Sequence, residues 1–203
     1  MIDLVCLVAD KNMEALVGAV LQRPESLGIR PIVPKLVVHP HRDPGCYKDS
    51  TRFVRMYRQE ALHALVLLDR AWEGAPAKPT IELEADVDGD LRQLGPEWAK
   101  SIVIDPEIEV WLFRRTPRLD EELGWKERTP GLAEELAKAG LWPADAEKPA
   151  DPKRAIEWAL HRVSRPRSSS IYRKLGATLG MKTCTDSAFN RFRTTLRAWF
   201  PAA

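Results

Sequence analysis

Acidic side chains follow short apolar runs at several places in the chain. The run Ile102 to Ile104 meets three carboxylates within five residues, and earlier runs also lead into acids or imidazoles. Carboxylates that lie close together repel one another, and a divalent cation relieves that repulsion. Oxygen ligands with room for water suit Mg²⁺ or Mn²⁺, and two such ions support in-line hydrolysis of a phosphodiester. These residue types therefore predict a metal-dependent hydrolytic site.

The candidate site residues lie directly after the apolar runs or within one helical turn of them. The expected catalytic residues are Asp10, Glu14, Asp69, Asp105 and Glu107. The expected ligands of Mg²⁺ or Mn²⁺ are Asp69, Glu73, Asp105, Glu107 and Glu109. The stretch from His39 to Asp43 is either a second, borderline metal site or a solvated loop.

Helix capping explains the three acids after the last apolar run, Asp105, Glu107 and Glu109, without any metal. Asp105 is a suitable N-cap, and Pro106 suits the first position of a helix. Acids in a first turn also complement the helix dipole. One strand that ends in an acid is therefore weak evidence for a site, whereas four such strands make a convergent site a reasonable hypothesis.

Strand and helix patterns alternate in the first half of the chain. Strands are expected over residues 3–9, 32–38, 62–68 and 102–104, and helices over 12–22, 50–61 and 81–94. The apolar runs do not alternate with polar residues, which is typical of strands covered on both faces of a parallel sheet. The sequence predicts an α/β fold with a Rossmann-like, mostly parallel four-stranded sheet. Ligands bind at the carboxyl ends of such strands, where the acids lie.

Only helical patterns follow residue 110. Helices are expected over residues 107–114, 132–139, 152–163, 169–179 and 186–200, with a proline-rich connector at 142–153. The predicted organisation is an α/β domain over residues 1–145 and a basic helical C-terminal lobe over 146–203. Residues 153–197 hold eleven Lys and Arg against two acids, a net charge of +9, while the remainder carries −7. This asymmetry favours a surface that binds a polyanion, although basic side chains could also solvate the helices or dock against the acidic part.

A basic stretch interrupted by proline leads into the helix expected at 169–179. The expected nucleic-acid contacts, with DNA as the favoured ligand, are Arg165, Arg167, Ser168, Arg173 and Lys174. Arginine, serine and free main-chain amides all hold phosphate well. The alternative is that Ser168 or Ser169 only caps the helix.

The remaining features concern the cellular compartment. Three cysteines, Cys6, Cys46 and Cys184, are far apart and odd in number, which favours a reduced cytoplasmic protein over a disulfide framework. The segment MIDLVCLVADK has no basic region or cleavage site of an export signal, and no apolar run approaches 18 residues. We therefore expect a cytoplasmic protein with no membrane association.

Several of these segments resemble the Toprim-like proteins of bacterial phage-defence and abortive-infection loci. The resemblance is carried by VADKNMEALVGAVL, by LVLLDR, by IDPEIEVWLF and by the C-terminal stretch from RPRSSSIYRK to the closing hydrophobic helix. Its most specific piece is the spacing of Pro106, Glu107, Glu109, Trp111 and Leu112. The resemblance implies a Toprim-like α/β core, Mg²⁺ as cofactor and, often, an ATPase or other defence protein as partner.

A Toprim site usually has a Glu after strand one and an Asp-x-Asp pair after strand three. Asp69 matches the first Asp of that pair, whereas Ala71 occupies the position of the second. Either Asp10 or Glu14 would take the place of the Glu. Glu73, Asp105 or Glu107 would have to substitute for the missing Asp. The resemblance thus implies either a metal-dependent nuclease of an anti-phage system or a catalytically degenerate subunit that binds DNA or a partner protein.

Overall fold

Four parallel strands form the central sheet of the computed structural model, which describes residues 1–202. The strands are β1 (Ile2–Val8), β2 (Pro34–Val38), β3 (Ala61–Asp69) and β4 (Ala99–Ile104), in the order β2-β1-β3-β4. Val8 is in register with both Val38 and Leu67, so the carboxyl ends of these strands lie at one edge of the sheet. The prediction of a parallel, Rossmann-like α/β fold is confirmed.

Helices connect the strands and continue to the end of the described chain. Those of the first part are α1 (Lys11–Leu21), α2 (Pro24–Leu27), α3 (Arg42–Lys48), α4 (Ser50–Arg55) and α5 (Thr80–Leu91). Those that follow β4 are α6 (Pro117–Leu123), α7 (Leu132–Lys138), α8 (Pro152–Arg162), α9 (Ser169–Thr178) and α10 (Ser187–Trp199). A 3-10 turn at Ile108–Trp111 lies where the sequence predicted a helix over 107–114.

The helices cover both faces of the sheet. Helix α1 lies on one face together with α10, which packs against β4, and α9 packs on the outside of α1. Helices α3, α4 and α5 contact one another and cover the opposite face. The central strands are consequently buried on both sides, and Leu4 to Val8 of β1 are almost fully inaccessible to solvent. This burial explains why their sequence is continuously apolar.

The helices after residue 145 pack closely against the sheet domain. Helix α8 contacts the 3-10 turn at Ile108–Trp111, α9 packs along α1, and α10 lies on β4. Gly176 of α9 crosses α1 so closely that a Cβ atom there would lie 2.8 Å from the main-chain oxygen of Leu16. The division of the chain near residue 145 stays a prediction, but the C-terminal helices form much of one face of the fold.

The outer edge of β4 is covered by charged side chains. The Glu84 carboxylate accepts the Val103 N–H at 2.8 Å, and Arg191 of α10 donates to the same carboxylate at 2.8 Å and to the Val103 carbonyl at 3.0 Å. Asp88 accepts the Ser101 N–H at 2.7 Å. An uncovered strand edge presents unpaired main-chain groups that can recruit another chain. Helices α5 and α10 satisfy those groups here.

Candidate functional site

The strand order reverses between β1 and β3. Helix α1 leads from β1 to β2 on one face, and α3 and α4 lead back to β3 on the other. A reversal of this kind leaves a crevice beyond the carboxyl ends of the two strands, which is the usual ligand site of open parallel sheets. Asp10 follows β1 and Asp69 ends β3. The two carboxylates therefore flank the position where the fold favours a ligand.

Asp69 is the central member of the acidic edge, which we define as Asp10, Asp43, Asp69, Glu107 and Glu109. Its Oδ1 atom accepts a hydrogen bond from the main-chain N–H of Ile108 at 2.8 Å. Its own N–H donates to Oδ1 of Asp43 at 2.8 Å. These two bonds join the ends of three chain segments and fix the carboxylate in a partly buried position.

The pKa of Asp69 is raised well above its usual range. Burial is the main cause, and the negative charges of Asp43, Glu109, Glu107 and Asp10 add to it in that order. The pKa of Asp43 is also raised, chiefly by burial and further by Asp10, against the lowering effect of the Asp69 N–H. Four other carboxylates therefore act on Asp69 at this edge of the sheet.

Asp10 has a structural role in addition to its place in the acidic edge. It is the N-cap of α1, and its Oδ1 accepts the N–H groups of Asn12 and Met13, both at 2.8 Å. A cap of this kind stabilises a helix by about 1 kcal/mol. The same bonds fix the carboxylate beside β3, so capping and ligand binding are compatible at this residue.

Glu107 and Glu109 are buried and paired with residues of the C-terminal helices. Glu107 Oε1 lies 2.7 Å from Lys153 Nζ at the start of α8. Glu109 Oε1 accepts the Tyr172 hydroxyl at 2.5 Å and lies 3.2 Å from Arg167 Nη2. In residues 1–202, these are the ion pairs that the acidic edge makes. Asp10, Asp43 and Asp69 rely instead on main-chain N–H groups.

The pairing also affects the titration of these groups. Burial raises the pKa of Glu109, although the Tyr172 hydroxyl and Arg167 oppose that effect. Burial by itself would lower the pKa of Lys153, but its bond to Glu107 and the negative charges of Glu107 and Glu109 together outweigh burial, and the pKa of the ammonium is raised. Lys153 stays charged near neutral pH and places one positive charge at the acidic edge.

Three of the acids expected in the site have other surroundings. The Asp105 carboxylate is exposed and accepts the Thr80 hydroxyl at 3.2 Å, and the 3-10 turn that follows is capped at Glu107 instead. Glu14 pairs with Lys11 on the surface of α1 at 2.8 Å. Glu73 is exposed in the loop before α5. None of the three is among the charges with the largest effect on Asp69.

The His39 stretch divides into three different environments. His39 is buried, packs 4.1 Å from the Phe53 ring and accepts the His41 N–H at its Nδ1, 3.0 Å away. Burial lowers its pKa, so the ring is neutral near pH 7. His41 is exposed, and Asp43 joins the acidic edge. The sequence analysis considered Asp43 only as part of the His39 stretch and not with the carboxylates of the main site, although it lies shortly after β2.

The residues expected to contact nucleic acid differ in whether their side chains are bound inside the fold or exposed to solvent. Arg167 is bound inside the fold to Glu109, to Glu157 at 2.8 Å and to the Tyr172 hydroxyl at 2.8 Å. Arg165 donates to the Glu122 carbonyl at 3.0 Å. Ser168 occupies the N-cap position of α9 without a side-chain cap bond. The remaining two, on the exposed surface of α9, are Arg173 and Lys174.

The acidic edge fits a metal ion in the type of its donor atoms but not in their placement. The donors are carboxylate oxygens, the ligand type that Mg²⁺ and Mn²⁺ prefer. Their placement does not fit a preformed site, because residues 1–202 bring no three Asp, Glu, His or Cys side chains together as metal ligands. Two of the expected ligands, Glu107 and Glu109, are already paired with Lys153 and Arg167.

Comparison of the chain with protein families, curated proteins and solved structures found no match. Over residues 1–202 the helices are too short or too polar for any of them to cross a lipid bilayer.

Proposed function

We propose that this chain is a Toprim-like nuclease that hydrolyses phosphodiester bonds of nucleic acid with Mg²⁺ or Mn²⁺, within a bacterial anti-phage defence system. The observation that carries the proposal is the position of Asp69. It is a partly buried carboxylate at the strand-order reversal, with other carboxylates beside it and no basic side chain of its own. A partly buried carboxylate beside other carboxylates destabilises the folded state, and such groups are typical of functional sites.

The residues of the acidic edge would have distinct roles in this reaction. Asp10, Asp43 and Asp69 each accept a main-chain N–H, and they would have to move closer together to hold the cation, because within residues 1–202 they do not form a ligand set as they stand. When bound, the cation would activate water and stabilise the charge that develops on the phosphate. Lys153, which is partly exposed beside Glu107, would attract the phosphate group to the edge, whereas Arg167 is held inside the fold by Glu109, Glu157 and Tyr172.

The test is cleavage of supercoiled and linear DNA by the purified chain with Mg²⁺ or Mn²⁺. Asp69→Asn should lower the rate by at least about 100-fold, because removal of one preorganised electrostatic group commonly has that effect. Asp90→Asn is the matched control, since Asp90 is exposed on α5, and its rate should equal that of the wild type. Calorimetry with Mn²⁺ alone gives a second readout, in which Asp69→Asn should weaken binding. Equal cleavage by the Asp69 variant and the wild type would rule out the proposed site.

A second candidate function is a catalytically degenerate subunit that binds DNA or a partner protein, such as an ATPase, within a defence complex. It is favoured by the ion pairs of Lys153 and Arg167, which neutralise two of the expected ligands, and by Ala71 at the position of the second Toprim Asp. The same assay separates the two functions. DNA binding without cleavage, with either metal and with the proteins encoded beside it added, would support the subunit and exclude the nuclease.

A further inference from the structure

Two tryptophans and two arginines form a stack on the surface of the C-terminal helices. The rings of Trp125 and Trp158 are parallel within 15°, with centroids 6.0 Å apart. The Arg128 guanidinium lies 5.4 Å from the Trp125 ring, and that of Arg162 lies 4.9 Å from the Trp158 ring. We call these four residues the Arg-Trp stack. Trp125 Nε1 anchors it by donating to the Ala159 carbonyl at 3.1 Å.

Both guanidiniums of the stack line one cavity of about 310 Å³. Its other lining residues are Trp125, Thr129, Pro130 and Glu135. Within residues 1–202, neither arginine forms an ion pair, and the Glu135 carboxylate lies 3.3 Å from Lys138. An arginine that lies on an aromatic ring keeps its N–H edge available for oxyanions. Two such arginines beside one cavity form a site for phosphate oxygens.

Helix α8 connects this cavity to the acidic edge. Lys153, which pairs with Glu107, lies in its first turn, and Arg162 is its last residue. Nine residues of α-helix span about 14 Å. Nine residues are also about two and a half turns, so the side chains of Lys153 and Arg162 project from opposite faces of α8.

We propose that the Arg-Trp stack is a second phosphate-binding subsite, which holds the backbone of a nucleic acid at a position separate from the acidic edge. The inference rests on the proposed function for the class of ligand, but it requires no hydrolysis. The subsite explains why the two arginines are held in place without carboxylate partners. It also adds a basic surface that the residues 165–174 of the sequence analysis did not include.

The test is the salt dependence of binding a fluorescein-labelled 20-base-pair duplex in EDTA, where hydrolysis is excluded. Each phosphate contact contributes about 0.9 to the slope of log K against log salt concentration. The variant Arg128→Gln/Arg162→Gln should therefore lower the slope by about 1.8 and weaken binding by at least about 10-fold at low salt. The matched control is Arg52→Gln/Arg55→Gln, which removes the same charge from exposed positions on α4 and should leave the slope unchanged.

The outcomes separate this inference from the proposed nuclease. An unchanged slope in the Arg128→Gln/Arg162→Gln variant, with circular dichroism like that of the wild type, would overturn the subsite even if Asp69-dependent cleavage is found. A lowered slope in a protein that never cuts DNA would support the subsite and exclude the enzyme. A third arm titrates inorganic pyrophosphate against the tryptophan fluorescence of the wild type and of a Trp158→Phe variant, because the chain has seven tryptophans and the difference isolates the stack. Tight quenching by pyrophosphate, with no arginine-dependent duplex binding, would overturn the assignment to a nucleic-acid backbone.

Discussion

At the scale of single residues, Asp69 lies where the fold favours a ligand, but its carboxylate is partly buried among other carboxylates, which is unfavourable for stability. The unfolded chain would titrate Asp69 near pH 3.9, while the folded chain titrates it at a higher pH. The protonated form is thus favoured by folding. The contribution of the protonated Asp69 to the free energy of unfolding is fully present below about pH 3.9. It is lost as the pH rises through the pKa that Asp69 has in the folded state.

Replacement of Asp69 by asparagine should accordingly stabilise the metal-free protein at neutral and alkaline pH. The amide oxygen can still accept the Ile108 N–H, while the charge repulsion is removed. In EDTA at pH 8 we expect the Tm to rise by at least about 2 °C, the shift that 1 kcal/mol gives in a chain of this length. The difference from the wild type should shrink toward pH 5. A difference that does not depend on pH, as expected for Asp90→Asn, would contradict the role given to charge repulsion.

At the scale of the elements, the sequence predicted where the strands end better than it predicted the long-range contacts made at those ends. The apolar runs identified all four strands, and with them Asp10, Asp69 and Glu107, because strand burial leaves a clear local pattern. Helix α3 was missed because RDPGCYK contains proline and glycine, which normally predict a loop. The bond from Lys153 to Glu107 spans 46 residues of chain, and no local pattern encodes it.

The crossing of α1 and α9 provides a test of packing at this scale. Alanine is usually better than glycine inside a helix by about 1 kcal/mol. At Gly89 of α5 nothing lies within 4 Å of a new Cβ, so Gly89→Ala should stabilise the protein by about 0.5–1 kcal/mol. At Gly176 the new Cβ would meet the Leu16 carbonyl at 2.8 Å and the Ala19 Cβ at 3.0 Å.

Gly176→Ala should therefore destabilise the protein by about 1–3 kcal/mol despite the better helix propensity, as overpacking usually does. Urea unfolding of the two alanine variants measures both effects. If Gly176→Ala were as stable as Gly89→Ala, α9 would lie farther from α1 than the structure has it.

At the scale of the whole molecule, the C-terminal helices neutralise buried acids of the sheet domain. Arg191 pairs with Glu84, Lys153 with Glu107 and Arg167 with Glu109. Removal of one partner of a fully buried ion pair costs about 3–5 kcal/mol. The cost is lower here because Lys153 and Arg191 are 40% and 33% exposed, but a whole domain is stable by only about 5–15 kcal/mol. Basic side chains of the C-terminal part thus dock against the acidic part of the chain, which is one of the alternatives that the charge asymmetry of the sequence left open.

A fragment of residues 1–145 should consequently fail to fold cooperatively, even though it contains all four strands. We expect it to lack near-ultraviolet circular dichroism and a sharp thermal transition, while the full chain unfolds in one step. A fragment with a cooperative transition near the Tm of the full chain would instead establish the boundary at residue 145 as that of an independent domain.

The pairing of Glu109 with Arg167 also sets an order of events during synthesis. The two residues are 58 positions apart, and a ribosome adds about 5–20 residues per second. Glu109 therefore precedes its partner by about 3–12 seconds. During that interval Lys153 becomes available to Glu107 before Arg167 becomes available to Glu109, so the acidic edge is completed only after residue 167 has been made.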